Sequence, residues 1–476
     1  VSALEVVKAT SLAGAAADDL ALLERQRDRL LARLAVQRRH SLDLWGWYHG
    51  LQPDPAVAGR YRDQYRLLLG IARTPWARLV VDTIAERLHV QGFRSGTMPV
   101  GDAVGEEQAA WQVYEGSSMD ADEWLVYTEA LITGVGYVSC AVEDGTPRLA
   151  AESGLEMTHE PTPGNRRQVG AALKMYPLDW DGPWSVELYR REATYRWLYA
   201  DTSGRRVDPD AHPLDTAWRP ETITWEESEP FTVTNPLGEV TIVPFENRAT
   251  VLGGGVSELE DCIPILRRID KLTLDKLMTS EFASFKQKWA TGLEVPVDPE
   301  TGKRVEPFKA AVDKLWINTS AEGRFGTFDA SDLAPYLSAI DAEISALAAI
   351  SRVPAHYLVQ SSLANPPSAE SLIAAESGLV AKVRERQRRF GEAWERALRL
   401  ALELAGADGA QLEVVWADAE MRNPAQVADA AVKLQSIGVP QRALWQYVGA
   451  TPQQVDAWTL EQASAQLAAL ANVPPG

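Results

Sequence analysis

The sequence predicts an α+β fold, and three observations carry that reading. Between residues 135 and 201 the chain breaks into short alternating runs, among them GYVSCAV, WSVELYR and ATYRWLYAD, separated by turns rich in Gly, Pro and Asp; this is the pattern of antiparallel strands. Residues 369–405 contain no proline and carry one apolar stripe, Ile373, Leu379, Val383, Phe390, Trp394, Leu398 and Leu402, which predicts a helix three times the usual length. Two further helical patterns, 257–286 and 333–351, bracket a segment with strand-like pieces. Helices and sheet are therefore segregated along the chain rather than alternating.

At 476 residues the chain exceeds one small core, so two to four domains are expected. The 46% hydrophobic content is that of a folded soluble protein. Its 16 tryptophans serve either core packing or subunit interfaces, where Trp is enriched. A net charge of −19 argues against an ordinary nucleic-acid binder, which shows a basic footprint, but is compatible with a channel whose wall must not hold DNA. Cys140 and Cys262 are the only cysteines and imply neither a disulfide framework nor a zinc site. No apolar run reaches the length of a membrane span, and no export signal is expected at the N-terminus.

In chain order, residues 1–17 are Ala-rich and weakly patterned. From 18 to 37 the stripe Leu20, Leu23, Leu30, Leu34 alternates with Arg and Glu, which predicts an amphipathic helix packed along one side. Gly46, Gly50, Pro53 and Pro55 mark 45–61 as a linker. A helix is expected after Thr74-Pro75, with Leu79, Val80, Ile84 and Leu88 on one face and Gly92 as its end. Another spans 120–134 and stops at Gly134. After the strands, Ser257-Glu258-Leu259-Glu260 has the form of a capping box, and Pro264 either kinks the following helix or marks its true start. Val353-Pro354 ends the 333–351 helix, because proline disfavours the α region in the preceding residue. Ser368 is placed to cap the long helix. LEVVWADA reads as one more strand, and helical segments follow from Asn423-Pro424, broken at 438–440 and 451–452.

Motifs that would carry catalysis are missing. There is no G-x-x-x-x-G-K-[ST], no H-E-x-x-H and no G-x-S-x-G. Gly253-Gly254-Gly255 precedes a helix, but Glu258, Glu260 and Asp261 would repel an anion, so the run reads as a hinge. The six histidines are scattered. No catalytic residue, metal or cofactor is expected, and the economical conclusion is a protein that is not an enzyme. A metal-dependent nucleic-acid hydrolase with scattered carboxylates is the alternative. One local anomaly stands out: Lys382, Arg384, Arg386, Arg388 and Arg389 crowd the long helix with Glu385 as the sole acid. They form either a salt-bridged or intersubunit face or a patch toward DNA or a partner, and at 3.6 residues per turn they cannot all point one way.

The words GGGVSELEDCIPILRRIDKL, ISRVPAHYL and SAESLIAAESGLVAKVRERQRRFGEAWERAL resemble the Gp6-like portal proteins of tailed siphophages. The resemblance is densest over 250–405. It implies a portal fold: an N-terminal arm and helix (1–40), a mixed α/β wing (41–254), antiparallel stem helices (255–286 and 331–352), a small β-containing clip (287–330), a tunnel loop (353–368), a long wing helix (369–406) and a helical crown (407–476). The crown looks short and without a long terminal helix. The resemblance implies a ring, twelve-fold in similar proteins, at one capsid vertex of the virion, assembled in the host cytoplasm. Double-stranded DNA would pass through it, and the terminase large subunit, the major capsid and scaffolding proteins and head–tail adaptors would be its partners. Gln360, Ser361, Ser362 and Asn365, uncharged and without an apolar stripe, would then line the channel. Trp394 and Phe390 would pack subunits together.

Overall fold

A computed structural model describes residues 17–57, 65–95, 103–178, 183–200, 214, 224–251, 254–284, 288–291, 324–327, 332–358, 368–407, 411–420 and 424–471. The first helix, α1 (Ala17–Tyr48), is longer than its stripe suggested. Leu23, Leu30, Leu31 and Leu34 are buried as expected, but the helix continues through Gly46, because Leu44, Trp47 and Tyr48 enter the main core beyond it. Burying an aromatic pair outweighs the roughly 1 kcal/mol that a helical glycine costs. The linker expected at 45–61 therefore begins only after Tyr48.

Two short helices follow, α2 (Arg66–Ile71) and α3 (Trp76–Ala85). The sequence expectation of a helix up to Gly92 is corrected: β1 (Val90–Ser95) pairs antiparallel with β12 (Leu412–Trp416), with Phe93 opposite Val414. A side chain at Gly92 would meet Pro452, which accounts for the glycine. Then come α4 (Ala103–Gly116), which no pattern announced, and α5 (Met119–Thr133), closed by Gly134 at φ 95.

The strands between residues 135 and 246 form two antiparallel sheets. The first has the order β3-β2-β9, with β2 (Val135–Glu143), β3 (Thr146–Glu152) and β9 (Ile242–Glu246). The second runs β4 (Met157–Thr162), β5 (Asn165–Pro177), β6 (Trp184–Tyr189), β7 (Ala193–Ala200) and β8 (Thr224–Thr234) in sequence order. The leucine stripe of α1 covers the second sheet through Leu173, Met175, Val186 and Leu188. Arg27 of that helix lies over Trp225, 4.2 Å from its ring centre, a cation–π contact on an otherwise apolar face.

After the sheets, α6 (Ile263–Ser284) starts at Ile263-Pro264, so the proline marks the helix start rather than a kink. The capping box does not form. Ser257 Oγ accepts from Leu259 N–H at 3.0 Å, and Glu260 instead meets His40 at 2.8 Å. A two-stranded ribbon, β10 (Lys288–Thr291) with β11 (Arg324–Thr327), lies between α6 and α7 (Ala334–Ser351). A single turn, α8 (Ala355–Leu358), precedes α9 (Ala369–Leu404), whose Ser368 accepts from Ser371 N–H at 3.2 Å as the cap rule requires.

The long helix α9 is the spine of the main core. Phe390 stacks on Tyr127 at 5.5 Å, Trp394 meets Phe245 edge-on at 4.9 Å, and the Trp394 indole donates to Tyr127 Oη at 2.7 Å. Both residues are fully buried inside one chain. This corrects their assignment to subunit packing: they hold α5, β9 and α9 of the same protomer together. The C-terminal region ends in α10 (Pro424–Ser436), α11 (Gln441–Tyr447) and α12 (Pro452–Ala471). The 20-residue α12 corrects the expectation that a long terminal helix is missing. β12 belongs to the main core, and the C-terminal helices follow it from Pro424.

Candidate functional site

The helices α6 and α7 form an antiparallel pair, locked by Arg268, whose Nε and Nη2 donate to the Glu343 carboxylate at 2.9 and 2.7 Å. The start of the first and the end of the second return to one buried junction. At its centre is Glu258, 3% exposed, just ahead of α6. Lys382 Nζ pairs with it at 2.6 Å and also donates to Ser351 O, the last residue of α7, at 2.9 Å. Arg386 also pairs with Glu258, and its Nε donates to Asn247 Oδ1 at 3.0 Å. Asn247 Nδ2 in turn donates to Val256 O at 2.7 Å. Burial raises the Glu258 carboxyl, but the Lys382 ammonium and the Arg386 guanidinium outweigh it and hold the group below the ordinary glutamate value.

Gly134 and Gly255 complete this junction. A Cβ on Gly255 would collide with the Gly134 carbonyl, while Asn247 N–H donates to that same carbonyl at 2.9 Å. Gly255 is therefore a close-packing glycine. No anion cradle is built there among the described residues.

A second cluster ties the turn after α7 to α9. Arg352 adopts φ 59 and stops α7, and Val353-Pro354 turns the chain into α8. Tyr357 Oη donates to Glu376 Oε1 at 2.9 Å, tying this turn to α9. Arg87 Nη2 donates to Tyr357 Oη at 2.8 Å and to Glu376 Oε2 at 3.2 Å, and Arg87 Nη1 donates to Ala419 O at 3.1 Å. The expected channel residues Gln360, Ser361, Ser362 and Asn365 lie outside the described residues.

The basic run separates into two kinds of residue. Lys382 and Arg386 are buried in the junction, which corrects their inclusion in a DNA-facing or intersubunit patch. Arg384 is exposed and reaches Glu420 at 3.4 Å and Asp418 at 3.8 Å. Arg388 and Arg389 are exposed, Arg389 being paired with Glu385. The residues that sequence reasoning missed are Glu258, Asn247, Arg87, Tyr357 and Glu376. In the sequence Glu258 draws notice only as an acid that would repel an anion and as a member of the Ser257-x-x-Glu260 motif, not as a partner of Lys382 and Arg386.

Neither cysteine has a disulfide partner, and both are buried. Among the described residues no three His, Cys, Asp or Glu side chains form a group that could hold a metal, and no helix is long and apolar enough to cross a membrane.

Comparison with known proteins places this architecture. The portal protein of Mycobacterium phage D29 is 28% identical over 475 residues, covering 94% of this chain and 90% of that protein. The portal protein of Mycobacterium phage L5 is 30% identical over 390 residues, covering 77% of this chain and 73% of that one. Among solved structures, a chain in the virion of a native gene transfer agent particle aligns with a TM-score of 0.43 at 13% identity, over 84% of this chain and 96% of that chain. The family model described as phage portal protein, SPP1 Gp6-like, matches residues 65–467. The chain belongs to that family of phage portal proteins, which are structural components of the virion and not enzymes.

Proposed function

We propose that this portal protein is the subunit of a twelve-fold ring at one capsid vertex, assembled in the host cytoplasm. Double-stranded DNA enters and leaves the capsid through its channel. The observation that carries this reading is the α6–α7 pair, which leaves the buried junction, turns through the β10–β11 ribbon, and returns to the same junction. In a ring this pair is the stem, the ribbon side is the clip that docks the terminase large subunit and later the head–tail adaptors, and residues 41–254 are the wing. The wing rim meets the major capsid and scaffolding proteins. The segment 353–368 is the tunnel loop, with Gln360, Ser361, Ser362 and Asn365 facing DNA. Short uncharged side chains suit sliding, because charge pairing with phosphate repeated around a ring would arrest the duplex.

Native mass spectrometry and negative-stain microscopy of the purified chain test the ring: a closed particle of twelve copies is expected, and a strictly monomeric chain overturns it. The loop is tested separately. Ser361→Arg with Ser362→Arg should leave the particle mass unchanged and lower the yield of DNA-filled heads; a normal yield removes the loop from the channel.

A further inference from the structure

A cleft of about 1350 Å³ opens between the start of β5, the exit of β9 and the outer face of α9. Its walls carry Arg166, Arg167, Arg388, Arg389, Arg396 and Arg399, of which Arg389 pairs with Glu385, and Arg399 with Glu239 at 3.1 Å and Glu403 at 3.0 Å. The acids in the wall are largely engaged already. Glu385 pairs with Arg386 and Arg389, Glu413 with Arg94 at 2.7 Å, and Glu395 accepts Val414 N–H at 3.3 Å. Glu392 and Glu246 also line the cleft, Glu246 lying 3.6 Å from His159. Arg166 and Arg167 are exposed, Arg388 is exposed beside them, and none of the three pairs with a carboxylate among the described residues. Deeper in, Arg396 Nη2 is buried with no hydrogen-bond acceptor, its nearest acid being Glu239 at 3.8 Å. A guanidinium donor without an acceptor, below three uncompensated arginines, is a site for a carboxylate-bearing group.

The chain supplies such a group at the other side of the same sheet. In the order β3-β2-β9 the cleft borders β9, and the opposite edge is β3. The β2–β3 turn carries Glu143 and Asp144, both exposed. The turn before α5 packs against β3, with Leu149 N–H donating to Ser117 Oγ at 3.0 Å and Arg148 bonded to Gly116 O. Glu115 and Asp120, on either side of that turn, are also exposed. Arg148 is the cation there, and it is turned onto the Gly116 carbonyl.

We infer that the acidic corner of one subunit, centred on Glu143 and Asp144, docks into the arginine cleft of the next subunit. Two different patches at opposite edges of one sheet make a head-to-tail contact, and such contacts close into rings when their rotation closes. Charge complementarity sets the register of neighbours, in a protein whose overall charge would otherwise drive copies apart. This inference rests on the ring reading and names the contact within it.

The test is a charge exchange, read as assembled mass against protein and salt concentration. Arg167→Glu with Arg388→Glu, and separately Glu143→Arg with Asp144→Arg, should each raise the concentration needed for assembly by about tenfold or more. The combined four-fold variant should recover most of the loss. Melting curves of the unassembled fraction check that each variant folds. Reversals that leave assembly unchanged, or a combined variant no better than its parents, overturn the contact while the wild-type ring stands. A wild-type chain that never assembles overturns the ring reading and the contact with it. A cleft reversal that abolishes binding of a duplex DNA probe but spares assembly assigns the arginines to nucleic acid and overturns the proposal.

Discussion

Single buried side chains decide whether this chain can hold its helices in place. Glu258 accepts from both Lys382 and Arg386, and all three are nearly inaccessible to solvent. Replacing it with Gln leaves two buried cations without their counter-charge, which costs about 3–5 kcal/mol. The Glu258→Gln variant is expected to melt well below wild type, and an unchanged melting temperature would show that the junction is not a stabilising centre. Glu129 gives the opposite case. It accepts from Gly154 N–H at 2.9 Å and Ser153 Oγ at 3.0 Å, but no cation faces it, and burial pushes its carboxyl up to about 7. The folded state therefore binds a proton that the unfolded state releases at the ordinary glutamate value. Its contribution is fully present below that value and is lost as pH rises through about 7. Glu129→Gln keeps an acceptor oxygen without the charge. The variant should gain on the order of 1–3 kcal/mol over wild type at pH 8 relative to pH 4, measured by urea unfolding at both. An equal difference at the two pH values would contradict a neutral Glu129.

At the scale of elements, α9 carries the argument. Its indole at Trp394 donates to Tyr127, and Tyr127 donates to the buried Glu123 at 3.0 Å, so one aromatic residue closes a polar chain inside an apolar core. Trp394→Ala should cost about 3–5 kcal/mol in the protomer itself. The check is the melting of the unassembled fraction: a normal melt with a weakened ring would return Trp394 to the subunit interface. The helix itself was legible, because a proline-free stripe and a serine cap are local signals. Antiparallel strands over 135–200 were legible for the same reason. What sequence reading missed is long-range. The strand at Val90–Ser95 exists because residues 412–416 pair with it, and its own letters, with Gly92 among them, read as the end of a helix. Gly46 reads as a break until Trp47 is seen in the core. Arg386 and Glu258 stand 128 positions apart, so no spacing rule could join them. The same distance effect hid which of the five cations point inward: Lys382 and Arg386 do, toward a glutamate far away in sequence.

For the whole molecule, charge and ring geometry act together. The proposed twelve-fold ring would carry roughly 230 negative charges, since each copy has a net charge of −19. Nucleic-acid binders draw their affinity from released phosphate counterions, which needs an exposed basic surface. Here the cations at the centre of the basic run are paired within the protomer: Lys382 and Arg386 with Glu258, Arg389 with Glu385. Arg384 faces Glu420. Arg166, Arg167 and Arg388, which pair with no carboxylate among the described residues, line the β9-side cleft and are occupied by a neighbour in the proposed ring. The assembled particle should therefore bind a short duplex weakly at physiological salt, with a shallow dependence of affinity on salt concentration. Dissociating the ring by the Glu143→Arg and Asp144→Arg reversal bares the cleft, so the unassembled variant should bind duplex more tightly than the particle does. Fluorescence anisotropy of a labelled duplex across a salt series measures both. Tight, steeply salt-dependent binding by the intact particle would mean that its accessible surface is basic, and would remove the repulsive-wall account of how DNA slides.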